Sequence, residues 1–539
     1  MHRLTRLGCS LLLAAACSGA AMVANAALLQ VGQKVEGRVD ERQSAAWRLA
    51  LRDRDFVQGR VDGDVSLRLL DGEGKPLRLL VDGLDQNRDF MFVAPAQGQF
   101  RLRAEAIPTR PGERFTLELE RIQPASARPQ QSAAPLASPT LRELAGHLAQ
   151  GRTTQAFWSL REQQGTPLVE PVPGRPDLRL VTFLWRGAKH DVKIFGSPSG
   201  KHDPLLRLGV SDVWYRSYEV PASARLSYQL AADVPPSPDR RSLLATARSD
   251  PLNPAIFAAD SGDDPWLSRS RLELPDAAPQ PWIVRRADIP HGQLERRRLA
   301  SHLLGNERDV YVYRPAGWRQ GDSDQALLVL FDAHAYTRQV PTPTILDNLI
   351  AEGRIPPTAA LIIANPSSQS RQRELPANPQ FARFVAEELM PWARAQGIGA
   401  VASRTVVGGS SYGGLASAYL GLKHPELFGN VLSMSGSYWW SRPGEEPGWL
   451  IREYAGAPRQ PLRFYLQSGL FEGPMILDTN RHLRDVLRAK EYRLEQVEYP
   501  AGHDYLQWRG SLGCGLVSLL GEGIASVAKA CVPGAGEGT

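Results

Sequence analysis

Two adjacent serines, Ser410 and Ser411, lie in the glycine-rich segment VVGGSSYGGLASAYLGLKH at residues 406–424. Residues 409–413 fit the pattern Gly-x-Ser-x-Gly with Ser411 at the centre, after an apolar strand pattern and before a helical one. In a nucleophile elbow, the serine occupies a sharp strand-to-helix turn, and the flanking glycines allow the backbones to approach closely. This context predicts Ser411 as a nucleophile. Ser410 lacks the glycine spacing and is the weaker candidate.

A serine nucleophile requires a base, and among the ten histidines His503 has the expected position. Hydrolases with this elbow carry their triad in the chain order serine, acid, histidine. His503 lies in EYPAGHDYLQWR, directly after the last predicted strand, and Gly502 permits a tight turn before it. The other histidines precede the serine or belong to predicted helices. We therefore predict His503 as the general base.

The acid of the triad should follow the strand before this histidine, and two residues qualify. The segment LFEGPMILDTN after the predicted strand PLRFYLQSG contains Glu472 and Asp478. Glu472 comes sooner after the strand, whereas Asp478 directly precedes a helical pattern, where a carboxylate often caps the helix. We predict Glu472 and keep Asp478 as the alternative. Asp504 is expected to be a structural hydrogen-bond partner.

The oxyanion hole of such a site combines two backbone amides. One belongs to the residue after the nucleophile, here Tyr412, and the other to a loop after an early strand. That loop follows LLVLFD and reads DAHAY, so His334 or Ala335 is the predicted second donor.

The elements that must position these residues lie after about residue 287. Short apolar strand patterns alternate with helical segments such as NPQFARFVAEELMPWARAQG, which predicts an α/β domain with a largely parallel sheet at 287–539. The predicted strands are RDVYVYRP, ALLVLFDA, AALIIANP, RTVVGGS, NVLSMSG, PLRFYLQSG and RLEQVEYP.

The first half of the chain has a different rhythm. Period-two alternation broken by turn residues predicts a β-sandwich at 27–122 and a second one at 167–286. Between them, 123–166 contains a Pro-, Ala- and Ser-rich linker and one short helix with Ser138 as N-cap. The fold class is therefore multidomain, with two β-sandwiches followed by an α/β-hydrolase domain.

The first 26 residues have the features of a cleaved secretory signal. Arg3 and Arg6 precede a short apolar run that ends in Ala-Asn-Ala at 24–26. We predict a periplasmic protein; lipidation at Cys17 is the disfavoured alternative, because the preceding residues match that signal poorly. No later segment has the length of a membrane-spanning helix. An oxidising compartment would favour a disulfide between Cys514 and Cys531.

Composition and charge exclude several classes of function. A formal net charge of +6 without any extended Lys/Arg stripe gives no signature of nucleic-acid binding. The cysteines have no nearby metal-binding motif, so we predict neither a metal nor a cofactor. A secreted binding protein with an inert hydrolase domain is a further alternative, which the complete set of serine, acid and histidine disfavours.

Several of these motifs carry a family resemblance. The segments GGSSYGGLASAYLGLKHPELFGNVLSMSGSYWW, SRQRELPANPQFARFVAEELMPWAR, FDAHAY and AGHDYLQWRGSL resemble enterochelin (enterobactin) esterases, within the esterase D-like α/β-hydrolase superfamily. TFLWRG and VWYRSYEVP resemble the immunoglobulin-like N-terminal domain of that family. The resemblance spans roughly 167–520. Residues 27–122 are similar in pattern to the pre-peptidase C-terminal domains of secreted hydrolases.

The resemblance implies an esterase that acts on catecholate siderophores, in ferric or iron-free form. The family's serine, histidine and acid fall on Ser411, His503 and Glu472, although the segment FEGPM has one glycine more than the family pattern. The predicted function is hydrolysis of the trilactone esters of enterobactin-like molecules. The alternative is a secreted carboxylesterase for other aromatic or carbohydrate esters, such as feruloyl or acetyl esters.

An anionic aromatic substrate calls for cations and aromatic rings near the serine. Arginine pairs with catecholate oxygens or stacks on rings, and loops after sheet strands form the ligand-binding edge of such folds. The candidate substrate-binding residues are Arg371, Arg373, Trp439 and Trp440, and the alternative for Arg373 is a pair with neighbouring Glu374. Trp185 and Trp214 are further candidates for aromatic walls; the alternative for the tryptophans is packing in a core or a domain interface, which is favoured for Trp185.

Overall fold

The computed structural model describes residues 27–40, 44–83, 88–107, 114–124, 136–235, 241–257, 264–321, 324–521 and 531. The predicted signal sequence, with Cys17, and most of the predicted linker lie outside these residues. No helix within these ranges is long and apolar enough to cross a lipid bilayer.

The first domain consists of two sheets that share one hydrophobic core. One sheet has the strand order β1-β3-β8-β5-β6 and the other β2-β9-β4-β7. Alternate residues of these strands, such as Leu67, Leu102 and Leu117, are buried between the sheets. This burial explains the period-two sequence pattern. The strands are β1 (Ala27–Leu28), β2 (Lys34–Arg38), β3 (Ala45–Leu51), β4 (Phe56–Asp62), β5 (Val65–Leu70), β6 (Pro76–Val81), β7 (Asp89–Val93), β8 (Gly98–Ala106) and β9 (Arg114–Gln123).

Two helices, α1 (Pro139–Ala149) and α2 (Gln155–Gln164), follow the first domain. Ser138 caps α1 as predicted, because its hydroxyl accepts a hydrogen bond from the Leu141 amide at 3.2 Å. The second helix was not predicted, since its sequence QAFWSLREQQ has a weak apolar face. It is stabilised by tertiary contact: Trp158 packs with Leu141 against the second domain.

The second domain, called the middle domain below, again has two sheets. Their strand orders are β10-β11-β14-β13 and β12-β15-β18-β17, with β16 paired to β15. The elements are β10 (Leu168–Val172), β11 (Arg175–Arg186), β12 (Val192–Gly196), β13 (Leu206–Arg207), β14 (Val213–Pro221), β15 (Arg225–Ala232), α3 (Arg241–Leu244), β16 (Ala247–Arg248), β17 (Ile256–Phe257) and β18 (Arg269–Glu273).

The C-terminal domain is built on an eight-stranded sheet with the order β19-β20-β22-β21-β23-β24-β25-β26. The two edge pairs β19–β20 and β20–β22 are antiparallel, and all the other pairs are parallel. The strands are β19 (Gln293–Ser301), β20 (Asn306–Arg314), β21 (Ala326–Leu330), β22 (Thr358–Ile363), β23 (Thr405–Ser410), β24 (Asn430–Met434), β25 (Arg463–Gly469) and β26 (Arg493–Tyr499).

All seven strands predicted for this sheet occur, and the sheet is largely parallel as expected. The central strands are buried on both faces because helices cover both sides, so their sequences are continuously apolar. The edge strand β19 was missed, since its sequence QLERRRLAS is charged and largely exposed.

Helices connect the strands of this sheet. They are α4 (Ala333–Tyr336), α5 (Thr342–Ala351), α6 (Ser368–Glu374), α7 (Pro379–Arg383), α8 (Met390–Ala395), α9 (Tyr412–Lys423), α10 (Trp449–Gly456), α11 (Pro474–Ala489) and α12 (Tyr505–Leu520), with a π-helical segment (Phe384–Leu389) and a 3-10 turn (Ala402–Arg404). The predicted disulfide between Cys514 and Cys531 is formed and ties the last helix to the C-terminal segment.

Candidate active site

Ser411 occupies the sharp turn between β23 and α9. Its backbone angles are φ 58° and ψ −119°, a conformation that is strained for any residue with a Cβ atom. The turn requires glycine at 409, because a Cβ atom there would lie 2.9 Å from the carbonyl carbon of Gly413. The Ser411 amide donates to the Met434 carbonyl oxygen at 3.0 Å, which ties the turn to β24.

The two neighbouring serines have different environments. Ser410 is the last residue of β23 and only 1% exposed, so a substrate has no access to its hydroxyl. Ser411 is partly exposed, and its Oγ lies 3.2 Å from Oγ of Ser437. The structure therefore presents Ser411, and not Ser410, to a substrate.

His503 and Glu472 face each other across two adjacent loops at the carboxyl edge of the sheet. Nδ1 of His503 lies 3.5 Å from Oε1 of Glu472. The glutamate side chain is fully buried, whereas the histidine side chain is 36% exposed. A buried carboxylate behind a partly exposed imidazole is the arrangement that orients the ring and stabilises its protonated form.

Asp478, the alternative acid, has a different position. The helix α11 begins earlier than expected, at Pro474, so that Asp478 lies in its second turn and is exposed to solvent. Only Glu472 of the two is brought to the imidazole.

Two further residues, Ser435 and Trp508, hold the glutamate in place, and neither was predicted from the sequence. Oγ of Ser435 donates to Oε1 of Glu472 at 2.5 Å and accepts from Nε1 of Trp508 at 3.0 Å. The Trp508 ring also meets the His503 ring edge to face, with centroids 4.8 Å apart. The only signal in the sequence was their position: Ser435 directly follows β24, and Trp508 lies in HDYLQW, five residues after the histidine.

The segment Met434–Ser437 joins the serine to the acid and base. Met434 and Ser437 contact Ser411, while Ser435 contacts Glu472 and Trp508. Because β23, β24, β25 and β26 are neighbouring parallel strands, their carboxyl ends meet at one edge of the sheet. Ser411, Glu472 and His503 therefore lie at the same edge of the sheet.

The predicted oxyanion donors are placed as follows. Tyr412 is the first residue of α9, so its amide has no acceptor within the helix. The Ala335 amide already donates to the Asp332 carbonyl oxygen at 3.0 Å, inside the turn of α4. The loop thus folds into a helical turn that uses the N–H of Ala335. His334, the preceding residue, is the other candidate in this turn.

Arg371 is tied to the loop that carries these donors. Its Nε and Nη2 bind the two carboxylate oxygens of Asp332 at 2.7 and 2.9 Å, and Asn365 donates to the same carboxylate at 2.7 Å. Burial opposes the charge on Arg371, but the Asp332 carboxylate outweighs burial and raises the pKa of the guanidinium. The guanidinium also lies over the Tyr412 ring, 5.6 Å from its centroid.

The other predicted substrate contacts differ in accessibility. Arg373 is 69% exposed and lies 3.8 Å from the carboxylate of Glu374, the pairing that was the alternative interpretation of this arginine. The ring of Trp439 lies beside that of Tyr412, with centroids 6.1 Å apart. Trp440 packs against Trp449 and the core of the domain.

The two tryptophans predicted as further walls lie elsewhere. Trp214 is buried in the core of the middle domain and donates to the Ala188 carbonyl oxygen at 3.2 Å. Trp185 lines a cleft of about 430 Å³ between the first and middle domains. Among the residues described here, no three His, Cys, Asp or Glu side chains are grouped as metal ligands.

Two models of known protein families match parts of this chain. The esterase family model matches residues 301–518, and the model of the enterochelin esterase N-terminal domain matches residues 180–283. Ser411, Glu472 and His503 all lie in the first of these ranges. The first domain lies outside both.

Individual relatives agree with this result. An iron(III) enterobactin esterase from Escherichia coli O6:H1 is 34% identical over 336 residues, which cover 58% of this chain and 81% of that protein. An iron(III) salmochelin esterase from the same organism is 31% identical over 428 residues, or 73% of this chain and 99% of that protein. A crystal structure of the Shigella flexneri enterobactin esterase in the presence of enterobactin has 30% identity and a TM-score of 0.55, covering 68% of this chain and 97% of that one.

Proposed function

This chain belongs to the family of iron(III) enterobactin esterases, and from that premise we propose that it is a serine esterase that hydrolyses the trilactone ester bonds of catecholate siderophores such as enterobactin. The observation that carries the mechanism is the pairing of His503 with the buried carboxylate of Glu472. The relatives named for enterobactin and salmochelin support the substrate class.

The reaction follows from these groups. Oγ of Ser411 attacks the ester carbonyl while Nε2 of His503 accepts the hydroxyl proton, and His503 then returns this proton to the leaving alkoxide. Water, deprotonated by the same imidazole, hydrolyses the acyl-enzyme and releases the acid. Glu472 holds the imidazole through Nδ1 and stabilises its protonated form.

The charge that develops on the carbonyl oxygen needs hydrogen-bond donors. We assign these to the backbone amides of Tyr412 and His334, the latter on a turn that Arg371 and Asp332 hold in place. Losing one such donor typically costs about 10²- to 10³-fold in kcat.

Recognition of the aromatic substrate is assigned to the rings and cations beside the elbow. Tyr412 and Trp439 form an aromatic wall. The Arg373 side chain is 69% exposed and is therefore accessible to a ligand. Arg371 acts chiefly through Asp332, so its substitution would affect the oxyanion loop as well as binding.

Mass spectrometry of the products tests the function directly. Enterobactin incubated with the wild-type enzyme should give first the linear trimer, larger by one water, and then the linear dimer and the monomer, whose summed mass exceeds that of enterobactin by one water per bond cleaved. Ser411→Ala should give none of these products. Ser410→Ala is the matched control and should retain hydrolysis, because this neighbouring hydroxyl is buried. Cleavage by Ser411→Ala, or no cleavage by wild type, would refute the proposal.

A comparison of substrates separates the main proposal from its alternative. Rates with enterobactin and with feruloyl and acetyl sugar esters should be measured on the same preparation. We expect a clear preference for the catecholate ester. A preference for feruloyl sugars would instead identify a carbohydrate esterase with the same triad.

The proposal also includes the fold of each domain. We propose that the eight-stranded sheet is that of an α/β-hydrolase and that the two preceding domains are β-sandwiches, the middle one immunoglobulin-like. The strand orders, and the serine on a positive-φ turn between a strand and a helix, support this proposal.

Export to the periplasm is a further part of the proposal. The basic and apolar start of the chain and the disulfide near its end support it. Cell fractionation followed by mass measurement should find a periplasmic protein that begins at Ala27. A lipid-modified Cys17 at the N terminus would establish the anchored alternative, and a full-length cytoplasmic protein would refute export.

A further inference from the structure

The loop that carries the proposed base, residues 500–504, is called the histidine loop below. Its first half lies against the middle domain. The Arg225 amide donates to the Pro500 carbonyl oxygen at 3.0 Å, and Arg225 forms a parallel β-bridge with Ala501. At Gly502 the contact is closer still, since a Cβ atom at this position would collide with Oγ of Ser197. The loop therefore continues the edge of a middle-domain sheet.

The second half of the loop is held by a buried carboxylate. Oδ2 of Asp504 accepts from Oγ of Ser227 at 2.7 Å, and this hydroxyl in turn accepts from Nε of Arg269 at 2.9 Å. Oδ1 of the same carboxylate caps α12 by accepting from the Gln507 amide at 3.2 Å. Asp504 thus connects β15 and β18 of the middle domain to the start of the last helix.

The buried charges of this interface have partners of opposite charge. Burial raises the pKa of Asp504, and the positive charge of Arg269 and the hydrogen bond from Ser227 act in the opposite direction. A second arginine, Arg225, is 7% exposed and is paired with Glu273 at 2.9 Å. Its remaining nitrogens donate to Gln507 on α12 and to the Ala278 carbonyl oxygen. Buried charges are tolerated when they are paired and hydrogen-bonded in this way.

The acid is also linked to the middle domain. Phe471, the residue before Glu472, packs against the middle-domain core, and its amide donates to the Ala501 carbonyl oxygen at 3.0 Å. The C-terminal domain itself contacts the His503 side chain through Glu472 at 3.5 Å and through the Trp508 ring. The middle domain, however, binds the backbone of Pro500 before the histidine and the side chain of Asp504 after it.

We propose that the middle domain is a working part of the active site, in which Ser197, Arg225, Ser227 and Arg269 are positioning residues that hold the histidine loop and thereby set the place of His503. The proposal rests on the proposed role of His503 as general base. A displacement of about 1 Å of a catalytic group lowers the rate by about 10²-fold even when the group itself is intact. Loosening this interface should therefore lower kcat, while substrate contacts on the other loops are retained.

The first test removes the polar link to Asp504. We would measure kcat and KM of Arg269→Met and Ser227→Ala with p-nitrophenyl acetate, a small ester that makes no siderophore contacts. We expect kcat to fall about tenfold or more and KM to change less than about twofold. Arg269→Lys, which keeps the charge, should recover part of the loss.

Arg186→Met is the matched control. Arg186 lies on β11, in the other sheet of the middle domain, and pairs with the partly exposed carboxylate of Asp212 at 3.2 Å. Its kcat should remain within about twofold of wild type. Near-ultraviolet circular dichroism and thermal unfolding would establish that each variant is folded at the assay temperature. Folded Arg269→Met and Ser227→Ala proteins with wild-type kcat would overturn the proposal.

The second test uses the contact at Gly502 and remains decisive if the arginine variant does not fold. Gly502→Ala should lower kcat, because the new methyl group meets Ser197 and displaces the histidine loop. Adding Ser197→Ala removes the obstructing hydroxyl, and the double variant should regain at least about half of the lost activation free energy. Additive effects of the two substitutions would overturn the proposal.

Ser411→Ala, assayed beside these variants, separates the two proposals. An active Ser411→Ala enzyme would contradict the proposed function. An inactive Ser411→Ala enzyme combined with fully active Arg269, Ser227 and Gly502 variants would leave the proposed function standing and reject only the positioning role.

Discussion

The carboxylate of Glu472 shows how one residue acquires a role from its surroundings. It is fully buried, Oε1 receives the Ser435 hydroxyl, and Oε2 has no protein partner among the residues that the structure describes. An ionised carboxylate in such a place is costly unless a positive charge forms beside it. In the proposed mechanism, His503 supplies that charge when it accepts the serine proton, so that Glu472 stabilises the transition state more than the resting enzyme.

Replacing this carboxylate should therefore affect the chemical step. We expect Glu472→Gln to lower kcat for p-nitrophenyl acetate by about 10³- to 10⁴-fold, because the amide no longer stabilises the imidazolium or fixes its tautomer. Asp478→Asn, the matched control on the exposed face of α11, should keep wild-type kcat. The reverse result would make Asp478 the acid.

The turn between β23 and α9 illustrates how two elements together place the proposed nucleophile. The strand ends in a buried serine, the helix begins with Tyr-Gly-Gly, and the residue between them is forced to positive φ. The close approach of Gly409 to Gly413 makes this possible. Because Gly409 and Gly413 lie so close together, the turn leaves Ser411 partly exposed.

A methyl group at 409 should disturb the turn. We expect Gly409→Ala to lower kcat by about 10²-fold and to destabilise the protein, since the new Cβ meets backbone atoms that have little room to move. Gly146→Ala, at an exposed position of α1 with no neighbouring atom, should instead raise stability by up to about 1 kcal/mol. Thermal unfolding and kinetic assays of both variants would check these outcomes.

An ion pair joins α11 to β26, the strand that leads to the histidine loop. Arg481 binds Glu498 through two hydrogen bonds of 2.8 and 2.6 Å. The hydrogen bond from Arg481 is the largest cause that holds the pKa of Glu498 below its usual value of 4.5, and burial acts in the opposite direction. Because the pKa is lower in the folded state, the ion pair stabilises the fold above the unfolded-state pKa and loses its effect as pH falls.

Chemical unfolding at several pH values tests this linkage. Wild type should exceed Glu498→Gln in free energy of unfolding by about 0.5–1 kcal/mol near neutral pH, as is usual for partly exposed pairs. The difference should shrink below the usual glutamate pKa and disappear once Glu498 is protonated in the folded state. A difference that grows toward acid pH would contradict the assignment.

At the scale of the whole molecule, the disulfide secures the end of the chain. It joins α12, which packs on the central sheet, to a cysteine 17 residues further on. Cross-linking stabilises mainly by restricting the unfolded chain, which gives about 3 kcal/mol for a loop of this size. Such a bond is expected of a protein that folds outside the reducing cytoplasm.

Removing the disulfide should lower stability without removing activity. We expect the double variant Cys514→Ala and Cys531→Ala to lose about 2–3 kcal/mol of unfolding free energy and to keep its kcat at 25 °C, because neither cysteine contacts the site. Denaturant unfolding of the variant, and of wild type with and without reductant, would measure this. Equal stability of all three samples would contradict the prediction.

The sequence alone determined those features that depend on neighbours along the chain. The strands of the catalytic sheet, the cap at Ser138 and the strand–Ser411–helix turn all follow from periodicity or from residue types that favour one local backbone conformation. His503 could be predicted as the base because the sequence itself shows the order of serine, acid and histidine and the position of this histidine directly after a strand. Helix α2 and strand β19 escaped, since tertiary contact stabilises α2 and exposure masks the pattern of β19.

Tertiary structure decided whatever depends on distances between remote segments. The proximity of Glu472 rather than Asp478 to His503, the support of the acid by Ser435 and Trp508, and the helical turn that occupies the Ala335 amide could not be read from spacing. The bond between Ser227 and Asp504 spans 277 residues, and no periodic pattern encodes such a separation. Strand order and domain docking bring these groups together, because the carboxyl edge of the sheet is assembled from loops that lie far apart in the chain.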